Sequence, residues 1–433
     1  MLPAIRNEVD PYSIPTYDIN STDVEGFIDE LKGFHELFHD CFNRTEPRKN
    51  FYNYMVGQFS ELERKSIEPI AINVEDGKVR SMQRTISDTP WDDAKMLSIY
   101  RSLVNEDIGH SDGVLIFDES GFLKKGDYSA GAGKQYCGSV GKTENCQVGV
   151  FCAYASPMGY SLVDKRLYIP QKWFTEEYDE KRKKCQIPDS IEFKSKPQLA
   201  ADMFKEINNE NQLPFKYVLA DSIYGKSPDF IDVIEEFVGK IYFVSVSSDI
   251  LCWLQQPITR IKEYQYNGKT KKKKVLEDTE KKPISLKTLA SNINDYFWYK
   301  RKVSEGTKGP IEYEFTKREV VLAKDGLPWK KVWLIVKRTI EESPTYYYYI
   351  SNAAVSTQLS IFVWLSGLRW AIEQCFEETK SELGMDQYEV RKFQGWHHHI
   401  MTCMLAHFFL WHLKIKLGKK KRLLLRFRSS GFY

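Results

Sequence analysis

The stretch Leu368-Arg369-Trp370-Ala371-Ile372-Glu373-Gln374-Cys375-Phe376-Glu377-Glu378-Thr379-Lys380 decides how the rest of the chain is read. It holds no Gly or Pro, Trp370, Ile372, Phe376 and Leu383 supply apolar anchors, and Gly384 follows as a stop, so it predicts a helix. At 3.6 residues per turn, the positions four and eleven beyond Arg369 fall within about 40° of it. Arg369, Glu373 and Lys380 therefore share one stripe, a carboxylate flanked by two cations. Two readings stand open for that stripe. It is a solvated face laced with helical salt bridges, or a metal-binding Glu with cations placed to hold phosphate. Carboxylates elsewhere that can converge on Glu373 decide between them.

Two such carboxylates end short apolar runs. Gly113-Val114-Leu115-Ile116-Phe117-Asp118 reads as a buried strand with a carboxylate at its C-terminal end, and Tyr217-Val218-Leu219-Ala220-Asp221 repeats the pattern. Sites in open α/β sheets form at that strand edge. Three oxygen ligands suit Mg²⁺ or Mn²⁺, and two such ions can drive phosphodiester cleavage. Arg369 then offers a bidentate contact and Lys380 a point charge to the flanking phosphates. Glu119 alternates to the opposite face of an extended strand, which favours Asp118 as the ligand. Glu377 and Glu378 are alternatives to Glu373, which the cation spacing favours.

The 433 residues suffice for two or three domains, and 42% hydrophobic with 14% aromatic content marks a globular chain. A net charge of +3 argues neither for nor against nucleic acid. The eight Cys lack CxxC pairs and regular spacing, so they read as reduced thiols rather than a disulfide framework or zinc site. The first residues are acidic and Pro-containing, so no signal peptide is expected. No uncharged 18-residue apolar run predicts a transmembrane helix.

Along the chain, residues 1–20 read as an extended arm and 21–110 as a helical DNA-binding domain. In that domain Thr22-x-x-Glu25 opens the first helix, and a helix-turn-helix pair flanks Thr89-Pro90, with Thr89 as N-cap. Residues 111–246 form the first part of an α/β core, with a Gly- and Lys-rich loop at 121–141. Strands follow at Cys146–Ser156, Tyr160–Ile169 and Lys240–Val246, with helices at Lys196–Asn208 and Pro228–Phe237. Residues 247–365 read as an antiparallel β insertion, in which Lys269–Lys282 is an exposed loop. Residues 366–413 return the Glu373 helix and a His-rich helix, and 414–433 form a basic tail. His397, His398 and His399 point in different directions on a helix and cannot chelate one ion together; plain helix surface or DNA phosphate is expected for them.

These segments carry a family resemblance. The chain resembles the DDE transposases of bacterial insertion sequences. Asp118-Glu119-Ser120-Gly121 looks like the first-Asp segment, Asn145-Cys146-Gln147-Val148-Gly149-Val150 like the second strand, and Leu219-Ala220-Asp221-Ser222 like the second-Asp segment. Arg369-x3-Glu373-x6-Lys380 matches the Arg, Glu and Lys of the Tyr-Arg-Glu-Lys signature of one large branch, with Ser366 at the Tyr position. The resemblance runs from about residue 20 to 415. It implies a mixed α/β fold with an RNase H-like core, an inserted antiparallel β domain and an N-terminal helical domain. It implies Asp118, Asp221 and Glu373 as catalytic ligands of two Mg²⁺ or Mn²⁺ ions, with Arg369, Lys380 and Ser366 on DNA phosphate. In this family the β insertion supplies an aromatic that stacks on a flipped base, and Trp298 is the candidate, with Trp329 and Trp333 behind it. The activity implied is metal-dependent cleavage at transposon ends and strand transfer into target DNA. The implied partners are terminal inverted repeats, target DNA and a second copy on paired ends, with no membrane, in a bacterial cytosol at the nucleoid. A nuclease of the same fold without strand transfer, or an inactive transposase-derived DNA-binding protein, remains as an alternative.

Overall fold

In a computed structural model, residues 21–267, 269–306 and 309–429 are described; the arm expected at 1–20 lies outside them. The chain divides into two compact units, with breaks at 215/216 and 369/370. The class is mixed α/β, as expected.

The first unit comprises 21–215 with 370–429. Its centre is an antiparallel meander of Val114–Leu123, Lys142–Ser156 and Gly159–Tyr168, with the second strand in the middle. The strand through Asp118 is longer than expected. It continues five residues past Asp118 and stays paired with Cys146–Ala155 along its whole length. Along it only Glu119 and Leu123 are not buried. A Cβ on Gly121 would come within 2.6 Å of the Cys137 sulfur, so glycine lets a short strand at Gly133–Cys137 press close. That short strand lies inside the segment expected to be loop.

Four helices clothe the meander, among them Asp93–Ile108 on Gly159–Tyr168. Lys196–Glu210, opened by a Ser195/Gln198 capping box, packs on Lys142–Ser156 and Gly159–Tyr168. Trp370–Ser381 packs on all three meander strands. The long helix Phe393–Ser429 packs on Gly159–Tyr168 and continues where a tail was expected from 414. The N-terminal helices Ser21–Glu36, Thr45–Gln58, Val79–Ser87 and Asp93–Ile108 surround this long helix.

The last of those N-terminal helices is capped by Asp92, which accepts from the Lys95 amide at 3.0 Å, rather than by Thr89. Two of the three consecutive histidines are core, and His397 is half-buried. His398 is fully buried and stacks flat on Trp91 at 3.9 Å, and His399 is hydrogen bonded to the Tyr54 hydroxyl at 2.8 Å. Helices on several sides of Phe393–Ser429 leave no solvent face for these rings.

The second unit, 216–369, holds a sheet ordered Ile284–Ser285, Leu251–Trp253, Gly309–Lys324, Leu327–Arg338, Tyr346–Ser351, Ile241–Val246, Tyr217–Ala220. The last two strands are parallel and the others antiparallel. The expected β insertion is therefore hydrogen bonded directly to a core strand, Tyr348 standing opposite Val246. Continuous pairing is why this unit begins before Tyr217 rather than at residue 247. The exposed loop expected at Lys269–Lys282 is instead the return strand of a hairpin, Thr259–Tyr266 with Lys269–Leu276.

All eight cysteines are buried free thiols, and among the described residues no helix is long and apolar enough to cross a membrane.

Candidate active site

Alternation along Val114–Leu123 puts Asp118 and Phe122 on one face and Glu119 on the other. Phe151 stands directly opposite Asp118 in the register, so it shares Asp118's face. The Phe151 ring meets Phe376 of the Glu373 helix edge to face at 5.2 Å. Lys380, one turn further along that helix, donates to the Gly121 carbonyl at 3.3 Å and lies 5.3 Å from the Phe122 ring centroid. Glu373, Phe376 and Lys380 fall on one helical stripe by their spacing of three and four. The stripe carrying Glu373 thus lies along the strand face that carries Asp118.

Glu119 faces the other way. It pairs with Lys196 at 2.8 Å on the helix that covers the opposite face. Asp118 is buried, and one of its oxygens accepts from the Glu119 amide at 2.8 Å. Glu373 is exposed, in the first turn of its helix. Glu378 is engaged structurally, accepting from Tyr160 at 2.9 Å and bonded to His407 at 2.7 Å. Burial pushes its carboxyl up, but the bonds from His407, Tyr160 and Gln374 win and hold it below the usual range.

The anchors predicted for the helix are partly as expected. Ile372 and Leu383 are buried and Gly384 takes the left-handed stop at φ +69°, but Trp370 is 39% exposed, edge-on to Tyr160. The single helix expected across Arg369 is divided. Arg369 is the C-cap of Leu359–Leu368 and ends the second unit, whereas Glu373 and Lys380 belong to the first. Lys380's ammonium is pushed down by burial, against the pull of Asp386.

In the second unit, Asp221 follows the Tyr217–Ala220 strand and N-caps the turn Ser222–Gly225, accepting from the Ile223 amide at 2.8 Å. Gly225 is required there, because a Cβ would stand 2.1 Å from the Ser245 carbonyl. Ser366 turns its hydroxyl inward, donating to the Val363 carbonyl at 2.7 Å. Trp298 is buried, and the Arg338 guanidinium covers its ring at 4.1 Å. Two neighbours missed in the sequence are open instead: Tyr296 is 82% exposed and Phe297 40%. Lys337, also missed, is buried, and burial and then Arg369 push it down to about 8.

Among the described residues no three His, Cys, Asp or Glu side chains stand close enough together to hold a metal ion. The donors that Asp118 and Glu373 offer are carboxylate oxygens, the type that hard divalent ions take.

With the geometry in place, comparison with known proteins gives the class. Residues 37–310, more than half of the chain, match the family described as DDE superfamily endonuclease. The chain belongs to that family. The match includes Asp118 and Asp221 and stops before Glu373. The chain is 24% identical over 373 residues to the probable transposase for insertion sequence element IS701 of Microchaete diplosiphon, covering 85% of this chain and 82% of that one. Among solved structures, the piggyBac transposase synaptic complex with hairpin DNA aligns with a TM-score of 0.36 and 11% identity, over 93% of this chain and 68% of that one. The NurA nuclease from Sulfolobus solfataricus aligns with a TM-score of 0.28 and 11% identity, over 68% of this chain and 86% of that one.

Proposed function

We propose that this chain is a DNA transposase of the Tyr-Arg-Glu-Lys branch, cutting at transposon ends and joining the freed 3′-hydroxyl to target DNA. Asp118, Asp221 and Glu373 are the catalytic carboxylates. Two Mg²⁺ or Mn²⁺ ions held by them would activate the attacking water or hydroxyl and stabilise the leaving oxygen. The single observation that carries the reading is the Glu373 stripe lying along the Asp118 face, tied there by Phe376 on Phe151 and by Lys380 on Gly121.

Each protein group has a task in this reading. Asp118 and Glu373 hold charge toward the DNA strand, and Asp221 supplies the third carboxylate. Lys380 sits beside Gly121 as the point charge for one phosphate, with Arg369 and Ser366 for others. Trp298 takes a flipped base only if Arg338 leaves its ring; Tyr296 offers an open ring two residues away. Terminal inverted repeats and target DNA are the substrates, handled by a dimer on paired ends at the nucleoid of a bacterial cytosol.

The test uses the inverted repeats flanking the gene, supplied as uncut and as pre-cut duplexes with a target plasmid and Mg²⁺. Cleavage of the first and joined products from the second are expected, both lost in Asp118→Asn. Cleavage without joining would make the protein a nuclease; end binding with neither would make it a DNA-binding relic.

A further inference from the structure

The hairpin Thr259–Tyr266/Lys269–Leu276 forms a two-stranded sheet separate from the main one, and nearly all its residues are exposed. Its register pairs Arg260 with Val275, Lys262 with Lys273, Tyr264 with Lys271, and Tyr266 with Lys269. Opposed residues share a face and alternate residues change it. One face therefore carries Arg260, Lys262, Lys269, Lys271 and Lys273 around Tyr264 and Tyr266, with no acid among them. The other carries Glu263 opposite Lys272, joined at 3.2 Å, together with Lys274, Ile261, Gln265 and Thr270. Lys271 sets its ammonium 4.4 Å from the Tyr266 ring centroid, a contact that places both on the cationic face.

Structure alone gives this arrangement no return. Like charges directly opposite, such as Lys262 and Lys273, destabilise a strand pair, and an isolated two-stranded hairpin is marginal to begin with. Five cations on one exposed face call for an anion, and interleaved tyrosines add hydroxyl donors and flat rings. A two-stranded ribbon is also the shape that a duplex groove admits.

We infer that this ribbon is a DNA-docking arm whose Arg260/Lys262/Lys269/Lys271/Lys273 face lies against the phosphate backbone of duplex DNA without reading its sequence. The inference rests on the transposase reading only for the identity of the polyanion as DNA.

The test compares two substitutions of equal charge in the full chain: Lys262→Gln with Lys273→Gln on the cationic face, and Lys272→Gln with Lys274→Gln on the other. Affinity for a duplex is measured across a salt series, next to Mg²⁺-dependent cleavage at saturating DNA. Each lost phosphate contact lowers the slope of log affinity against log salt by about 0.9. The first pair is expected to lower it by about 1.8 and weaken binding, leaving cleavage at saturation and the melting temperature unchanged, with Lys262→Arg/Lys273→Arg restoring the slope. The second pair is expected to change the slope little. Equal slopes for both pairs, in a protein that cleaves DNA, overturn the arm and leave the transposase reading standing. A wild type that binds with the expected face dependence yet never cleaves upholds the arm and overturns the reading.

Discussion

Phe376 meets Phe151 edge to face at 5.2 Å, and Phe151 is the residue directly opposite Asp118. One aromatic contact thus ties the helix bearing Glu373 to the strand that pairs with the Asp118 strand, at the position facing Asp118. Phe151 is fully buried, so Phe151→Ala removes a core ring and is expected to cost about 3–5 kcal/mol in chemical denaturation. Phe151→Leu keeps most of the volume. It should fold with a smaller loss yet cleave DNA more slowly, because the contact that positions the Glu373 stripe is gone.

Adjacent carboxylates should behave oppositely. Asp118→Asn is expected to abolish Mg²⁺-dependent cleavage without loss of fold. Glu119→Gln, on the far face with Lys196 at 2.8 Å, should retain cleavage and lose no more than about 1 kcal/mol of stability. Parallel cleavage assays and melts of the two variants check this.

Under the meander, Arg101 lies buried with Asp164 at 2.7 Å and reaches Glu210 at 2.6 Å. Asp164 also accepts from Arg166. Removing Arg101 leaves the buried Asp164 short of one charged partner, with Arg166 still bound. Arg101→Met should therefore destabilise by about 3–5 kcal/mol. Arg101→Met with Asp164→Asn should lose less than the sum of the single variants, as a double-mutant cycle would measure.

Lys124 carries the pH prediction. It lies over the Tyr388 ring at 3.3 Å beside a cavity of about 790 Å³, and burial pushes its ammonium down to about 7 despite Asp386 and Glu389. In the unfolded chain a lysine holds its proton to about 10.4. Between these values the unfolded state binds more protons, so this group's contribution to stability rises with pH. Relative to Lys124→Met, the wild type should be least stable below pH 7 and gain steadily to about pH 10. Denaturation midpoints of both proteins across that range test it, and a constant difference would show Lys124 to be neutral or charged throughout.

Much of this was legible in the sequence. The apolar runs at Tyr217–Ala220 and Lys240–Val246 stand out in the sequence, and both are strands, the second starting at Ile241. From sequence the Asp118 strand reads short, because Glu119-Ser120-Gly121 looks like a turn and only its pairing with Val148–Val150 extends it. The return strand of the cationic hairpin reads as loop, because its lysines mask strand propensity. The overlooked signal was Asn267-Gly268, the commonest two-residue hairpin turn, and Asn267 takes the left-handed φ of +49°. The buried histidines were illegible, since only the helices packed around them remove the solvent face. The division at 215/216 was equally hidden, as it depends on which strands Ile241–Val246 pairs with.

The site itself is tested most directly by letting Fe²⁺ take the place of Mg²⁺ in the DNA-bound protein and mapping where locally generated radicals cut the polypeptide. The account predicts breaks near residues 118, 221 and 373, suppressed by excess Mg²⁺ and weakened together in Asp118→Asn. Breaks confined to other segments, or a pattern unchanged in that variant, would contradict it.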